Sequence, residues 1–259
     1  MAGDAPADPQ RPTLIRWSLV RESLTRPYRV TLPMVALALL VPVYVFIPQL
    51  VTKAPSVPAL SLDYRIPLQP SWVLAYGPLY LFLILLPVFV VRQDELIRRT
   101  FFAYLTVWIA SYVSFFFYPT VAPRLDDAVI GNGFAVWGLR FLYSADPPYN
   151  CFPSLHVAHS FVSALSSYRV HRGVGIGATA CACVVGLSTL FTKQHYILDV
   201  VAGFVLAFLA YVLFLCKTAR EDVADLDRRL APALVLVVGG IVFLCFGFYV
   251  VLYMLGVEI

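Results

Sequence analysis

The chain predicts an all-α integral membrane protein of about seven spans, on three observations. It is 60% hydrophobic and only 13% charged, with a mean hydropathy of +0.80, more apolar surface than a soluble domain of 259 residues can use. Several apolar runs approach the roughly 20 residues that cross a bilayer. Its cations are also unevenly placed. With the N-terminus in the cytoplasm, only Lys53, Arg65, Arg124, Arg140 and Lys193 of the 19 Lys and Arg fall in outer segments. The remainder lie inside, which is the positive-inside pattern.

Residues 1–28 are Pro-rich with spaced arginines and lack an apolar core followed by a cleavage site, so they read as a cytoplasmic basic segment and not a signal peptide. Within them, Leu14 to Leu24, with Arg16, Trp17 and Arg21, fits either a headgroup-surface amphipathic segment or a plain basic tail. Residues 29–254 read as one membrane domain with spans near 30–51, 71–91, 100–118, 154–170, 174–191, 196–216 and 231–254. The fourth carries Ser160, Ser163, Ser166 and Ser167. It belongs inside the bundle, where small residues allow close packing. Pro153 suits the first turn of that helix, and Ser154 then lies among free backbone N–H groups. The 119–153 loop is long for a helical bundle and should carry function or structure of its own. Within it, Phe134 to Tyr143 predicts a short interfacial helix with Trp137 and Tyr143 at headgroup level. The mixed-charge run 217–230 reads as a solvated linker.

The five cysteines, Cys151, Cys181, Cys183, Cys216 and Cys245, form no CxxC pair and no Cys/His metal spacing, so they read as packing residues. Asp63, Asp126, Asp127 and Asp146 show no ligand spacing either. No metal or other cofactor is expected. The net charge of +4 is modest and no nucleic-acid motif is present.

The chemistry concentrates in two short stretches. His195 and Asp199 stand four residues apart at the start of an apolar run. On a helix such positions share a face, so Asp199 can hold one ring nitrogen and leave the other free to attack. His156, in Pro153-Ser154-Leu155-His156, offers a second imidazole for proton transfer. Ionisable groups in apolar spans mark function, and a seven-span parity returns 119–153 and 191–195 to the same outer face. Arg124, Lys193, Ser154 and Ser188, with the helix-start N–H groups around Ser154 and Leu155, can bind a tetrahedral anion. Two imidazoles around an anion pocket suit phosphoryl transfer through a phosphohistidine. His159 can support the site or simply pack, and His171 reads as an inner-loop residue.

Pro153-Ser154-Leu155-His156, together with Ser188, His195 and Asp199, resembles the last two motifs of the type 2 phosphatidic acid phosphatase superfamily. Thr192-Lys193-Gln194-His195-Tyr196 and Tyr118-Pro119-Thr120 followed by Ala122-Pro123-Arg124 are similar to its inositol phosphorylceramide synthase-like branch. The resemblance covers about residues 75–216. It implies a six-helix phosphatase-type bundle, with one extra transmembrane helix here, and a metal-independent mechanism. In that mechanism His195 is the nucleophile, Asp199 orients it, His156 is the acid and base, and Ser154, Leu155, Ser188 and Arg124 lie on phosphate. Phe117, Leu125 and Thr189 depart from the family's Lys, Pro and Arg, and Lys193 is expected to replace one missing cation. The expected activity is a lipid phosphate phosphatase at the outer leaflet of a bacterial plasma membrane, with a membrane lipid as substrate and water as acceptor. The alternatives are head-group transfer to an alcohol, and a non-catalytic lipid-binding or transport protein.

Overall fold

The computed structural model describes residues 37, 39–51, 53–125, 130–146, 148–219 and 222–257. The basic segment 1–28, the start of the first span, the Asp126-Asp127 pair, Arg220 and Glu221 lie outside the described residues. Among the described residues the regular elements are helices: α1 (Val41–Leu50), α2 (Val73–Val90), α3 (Asp94–Phe117), α4 (Phe134–Ala145), α5 (Leu155–Val170), α6 (Arg172–Phe191), α7 (Ile197–Ala210) and α8 (Asp225–Met254). Short 3₁₀ turns at Asp63–Arg65 and Pro70–Trp72 lead into α2, and a π-helical turn at Tyr211–Leu215 extends α7.

Five stretches among these residues are long and apolar enough to cross a membrane: Pro70–Val90, Asp94–Phe117, Arg172–Phe191, Ile197–Leu215 and Asp225–Met254. The protein is an integral membrane, all-α molecule. The Ser-rich α5, of 16 residues, is about 24 Å long at 1.5 Å per residue, and it lies where the sequence puts it, at the centre. It packs against α2, α3, α6 and α7, and Val157, Ala158, Ser160, Val162, Ser163, Ala164, Ser166 and Ser167 are all buried. Alanine and serine keep its surface narrow enough for four neighbours to close on it.

The structure differs from the sequence reading at element ends. Helix α3 begins at Asp94, not near 100, and α8 begins at Asp225, not near 231. Acidic residues in the first turn favour these early starts by complementing the helix dipole, and Glu95 pairs with Arg98 and Arg99, both at 2.6 Å. The 217–230 run is not wholly a solvated linker. Asp227 Oδ1 meets Arg92 Nε at 3.1 Å, with both side chains largely buried, which ties the end of α2 to the start of α8. Pro153 is outside α5: it precedes the N-cap Ser154, across a cis Phe152–Pro153 peptide bond. The interfacial helix in the 119–153 loop forms as expected and ends two residues later. Its Trp137 packs on Tyr249 of α8, ring centroids 4.7 Å apart. Tyr143, expected at the headgroups, instead turns inward and donates its hydroxyl to the Thr192 carbonyl at 2.7 Å.

One close approach sets the register of α7 against α5. A Cβ on Gly203 would stand 2.5 Å from the Ser154 carbonyl oxygen and 3.2 Å from Val157 Cβ. Only glycine lets the start of α5 and the middle of α7 come this near. Gly203→Ala is therefore expected to cost about 1–3 kcal/mol by overpacking and to lower the thermal midpoint in detergent by several degrees. Gly186→Ala, whose Cβ would meet Val200 at an ordinary 3.6 Å, should leave the midpoint nearly unchanged. Equal midpoints for the two variants would show that the contact carries no constraint.

Candidate active site

The turn between α6 and α7 presents His195. Helix α6 ends with the Thr192 N–H on the Ser188 carbonyl at 2.8 Å, and the N–H groups of Gln194 and His195 both reach back to the Thr189 carbonyl, at 2.9 and 3.2 Å. Lys193 makes the reversal with φ at +56°. The chain then enters α7, where Asp199 Oδ2 accepts the Tyr196 N–H at 2.8 Å and lies 3.4 Å from His195 Nδ1. His195 is 5% exposed and Asp199 is fully buried. Asp63, which the sequence reading weighed only as a metal ligand, braces this turn: its Oδ1 accepts the Ile197 N–H at 2.9 Å and its Oδ2 accepts the Leu60 N–H at 2.7 Å.

His156 arrives from the other side on the first turn of α5. Ser154 caps that helix, its Oγ accepting the Val157 N–H at 3.3 Å, so the first-turn N–H groups of Leu155 and His156 have no carbonyl within the helix to meet. The preceding strand of chain is pinned by buried Thr120, whose Oγ1 accepts the N–H groups of Cys151 and Phe152 at 3.1 and 3.0 Å. The Ser154 N–H donates to the Asp199 carbonyl at 2.9 Å. The result is that His156 Nδ1 and His195 Nε2 stand 3.3 Å apart. Tyr76 and Tyr80 hold the His156 ring edge-on, with centroids at 5.8 and 5.0 Å. His159 lies one turn deeper among Tyr80, Tyr104 and Trp108, a packing and supporting position. His171 caps α6, its Nδ1 accepting the Val174 N–H at 3.2 Å.

The anion-binding candidates divide. Arg124 comes to the site: its Nη1 donates to the Tyr143 carbonyl at 2.9 Å, and its Nη2 to the Asp146 carbonyl at 2.6 Å and to Gln194 Oε1 at 2.9 Å, with the guanidinium 4.5 Å from the centre of the Tyr143 ring. Arg124 Nε and Gln194 Nε2 are buried donors without a partner, and Asp199 Oδ1 is a buried acceptor without one. Gln194 precedes His195 in the chain and bonds Arg124, so these two donors form one group that an anion could satisfy. Ser188 is fully buried and gives its hydroxyl hydrogen to the Val184 carbonyl at 2.7 Å, leaving its oxygen an acceptor. Thr189, at the position of the family's Arg, bonds the Gly186 carbonyl.

Lys193 is not brought to the histidines. Its ammonium donates to the carbonyls of Ile66 at 2.6 Å and Asp63 at 3.2 Å. Burial pushes its pKa down, with the Asp63 carboxylate opposing. The replacement cation expected from the sequence is instead fastening the 60s loop to the α6–α7 turn. Sequence reasoning gave no role at this site to four residues the structure gathers here: Asp146, weighed only as a metal ligand, Gln194, Tyr76 and Tyr80. Asp146 lies with its Oδ2 3.7 Å from Arg124 Nη2 and accepts the Tyr44 hydroxyl hydrogen. Gln194 sat beside His195 in the quoted motif, and that adjacency was the available signal. Tyr76 and Tyr80 had no sequence signal distinguishing them from other aromatics in an apolar span. Among the described residues, no three His, Cys, Asp or Glu side chains form a metal-holding group.

A model of the PAP2 superfamily matches residues 67–213, from the approach to α2 through the turn that extends α7. A PA-phosphatase related-family protein of Dictyostelium discoideum is 30% identical over 110 residues, which are 37% of this chain and 20% of that protein. The matched stretch thus spans one fifth of that relative's length. No solved structure matches.

The division of cations is testable by vanadate binding. Arg124→Ala should weaken it roughly 10- to 100-fold, the value of a charge-assisted hydrogen bond or two. Lys193→Ala should change it less than about threefold while lowering thermal stability by about 1 kcal/mol. The opposite ranking would return Lys193 to the phosphate.

Proposed function

The chain belongs to the PAP2 superfamily, and on that footing we propose that it cleaves the phosphoester of a membrane lipid through a phosphohistidine formed on His195. The observation that carries this reading is the 3.3 Å approach of His156 Nδ1 to His195 Nε2 with Asp199 behind the second ring. A carboxylate on Nδ1–H favours the tautomer whose Nε2 lone pair faces the site. Nε2 attacks phosphorus, the P–O bond to the leaving oxygen breaks, and protonated His156 gives its proton to that oxygen. His156 then takes a proton from water, the oxygen of that water attacks the phosphohistidine, and the P–N bond breaks to restore His195. In this reading the free donors of Arg124 and Gln194 and the helix-start N–H groups of Leu155 and His156 take the equatorial oxygens, where charge accumulates.

Release of inorganic phosphate from a lipid phosphate is the expected outcome. One observation favours the second reading, transfer to an alcohol. Asp146 stands beside Arg124 and accepts the Tyr44 hydroxyl hydrogen, and a carboxylate there can accept the hydrogen of an incoming hydroxyl while disfavouring a doubly charged phosphomonoester. The positive-inside bias supports a cytoplasmic N-terminus and a site at the outer leaflet of the membrane.

The purified protein, incubated with ³²P-labelled lipid phosphate and quenched in base, should retain label on His195 that acid releases. His195→Ala should retain none and lose activity by roughly 10⁴-fold or more. His156→Ala should lose about 10²- to 10⁴-fold. Label retained undiminished in His195→Ala would end the phosphohistidine reading. Label passing to an added alcohol in preference to water would select transfer.

A further inference from the structure

A cavity of about 230 Å³ opens between α2, α4 and α8. Leu74, Gly77 and Leu81 form its α2 wall, Phe141 its α4 wall, and Phe246 and Tyr249 its α8 wall. Among the described residues no charged side chain lines it. The space exceeds the roughly 150 Å³ that suffices for a benzene-sized apolar guest. It has one wall in common with the catalytic residues: Tyr76 lines it and also stands edge-on to the His156 ring at 5.8 Å. The α8 wall lies beyond residue 213, outside the region matched by the family model, so this chamber uses a helix added to the matched core. Its floor is open by sequence: a Cβ on Gly77 would have no heavy atom within 4 Å. The roof is clamped, since a Cβ on Gly138 would meet the Tyr249 hydroxyl at 2.6 Å, so α4 and α8 are already in closest contact there.

We propose that this chamber holds the first segment of a hydrocarbon chain of the substrate lipid, with Tyr76 dividing the chain from the phosphate end. The inference rests on the reading of the substrate as a lipid phosphoester. An amphiphile whose phosphate sits at the histidines must carry its chain past Tyr76 towards apolar surroundings, and the α2–α4–α8 chamber is the apolar space that Tyr76 adjoins. Each methylene removed from water contributes about fourfold in affinity, so a chamber of this size is a device for selecting chain-bearing substrates over free phosphate esters. The extra helix then supplies substrate selection to a core whose chemistry is complete without it.

The test is Gly77→Leu, whose Cβ would have no heavy atom within 4 Å and whose side chain would occupy the chamber from its open wall. With purified full-length protein in mixed micelles, the ratio of kcat/KM for a sixteen-carbon lipid phosphate to that for a four-carbon analogue should fall on the order of 50-fold, through KM and not kcat. That figure corresponds to three displaced methylenes. Cys245→Phe, from the α8 side of the same cavity, should act in the same direction. Parallel loss on both substrates, or an unchanged ratio, would overturn the proposal and leave the chamber to bulk bilayer lipid. If the wild-type protein turns over neither substrate, the lipid phosphatase reading falls, and binding decides the chamber separately. Sixteen-carbon alkyl phosphonate should then bind more tightly than the four-carbon one in wild type but not in Gly77→Leu, and no chain-length preference in wild type would overturn it.

Discussion

The start of α5 rests on the first half of α7 through two backbone features: the Ser154 N–H on the Asp199 carbonyl at 2.9 Å and the missing side chain at Gly203. The rest of the site depends on this contact. His156 is two residues past Ser154, so its ring position follows from the register of α5. Asp199 lies on the helix whose carbonyl receives that bond, so the register of the His195 orienter follows from the same contact. Volume added at this joint would be accommodated by moving backbone, and the 3.3 Å approach of the two imidazole nitrogens would change with it. The braces from other segments act on the same joint. Thr120 holds the approach to α5, and Asp63 holds the first turn of α7.

Electrostatics explains why so few cations serve here. In a site buried among apolar helices each charge interacts more strongly than it would in water, and Arg124 is already balanced by Asp146 and held by two carbonyls. Its orientation is set before any ligand arrives, which is the preorganisation that stabilises developing charge at little reorganisation cost. Its unpartnered Nε and the Gln194 amide are the donors left over by that arrangement. Lys193 has been drawn into a structural role by the carbonyls of Asp63 and Ile66. A long flexible ammonium goes to whichever fixed acceptors the fold supplies. The sequence position of Lys193, two residues from His195, gave no sign of this.

Much of the fold was legible in the chain. Long apolar runs cannot satisfy their backbone in a bilayer except as helices, so α2, α3, α6, α7 and α8 were readable from composition. The serines of α5 were readable as interior because such a helix has no place against lipid. Helix ends were less legible. The polar first turns of α3 and α8 look like linker by hydropathy, and dipole complementation together with the Arg92–Asp227 pair makes them helix.

In the site, the four-residue spacing of His195 and Asp199 was read as a shared helix face, but His195 lies in the turn before the Tyr196 N-cap of α7, so it is the shape of that turn that brings its Nδ1 to 3.4 Å from Asp199 Oδ2. The spacing of 39 residues between His156 and His195 was enough to return them to one end of the bundle. The tertiary structure decided everything that depends on segments distant in sequence: Asp146 with Arg124, Tyr44 with Asp146, Tyr76 with His156, and Lys193 with the 60s loop. Local sequence carries periodicity and propensity, and these specify which face a residue occupies. Which other face it meets is decided when helices far apart in the chain pack together, and that is why the histidine pair could be read from the sequence and its surroundings could not.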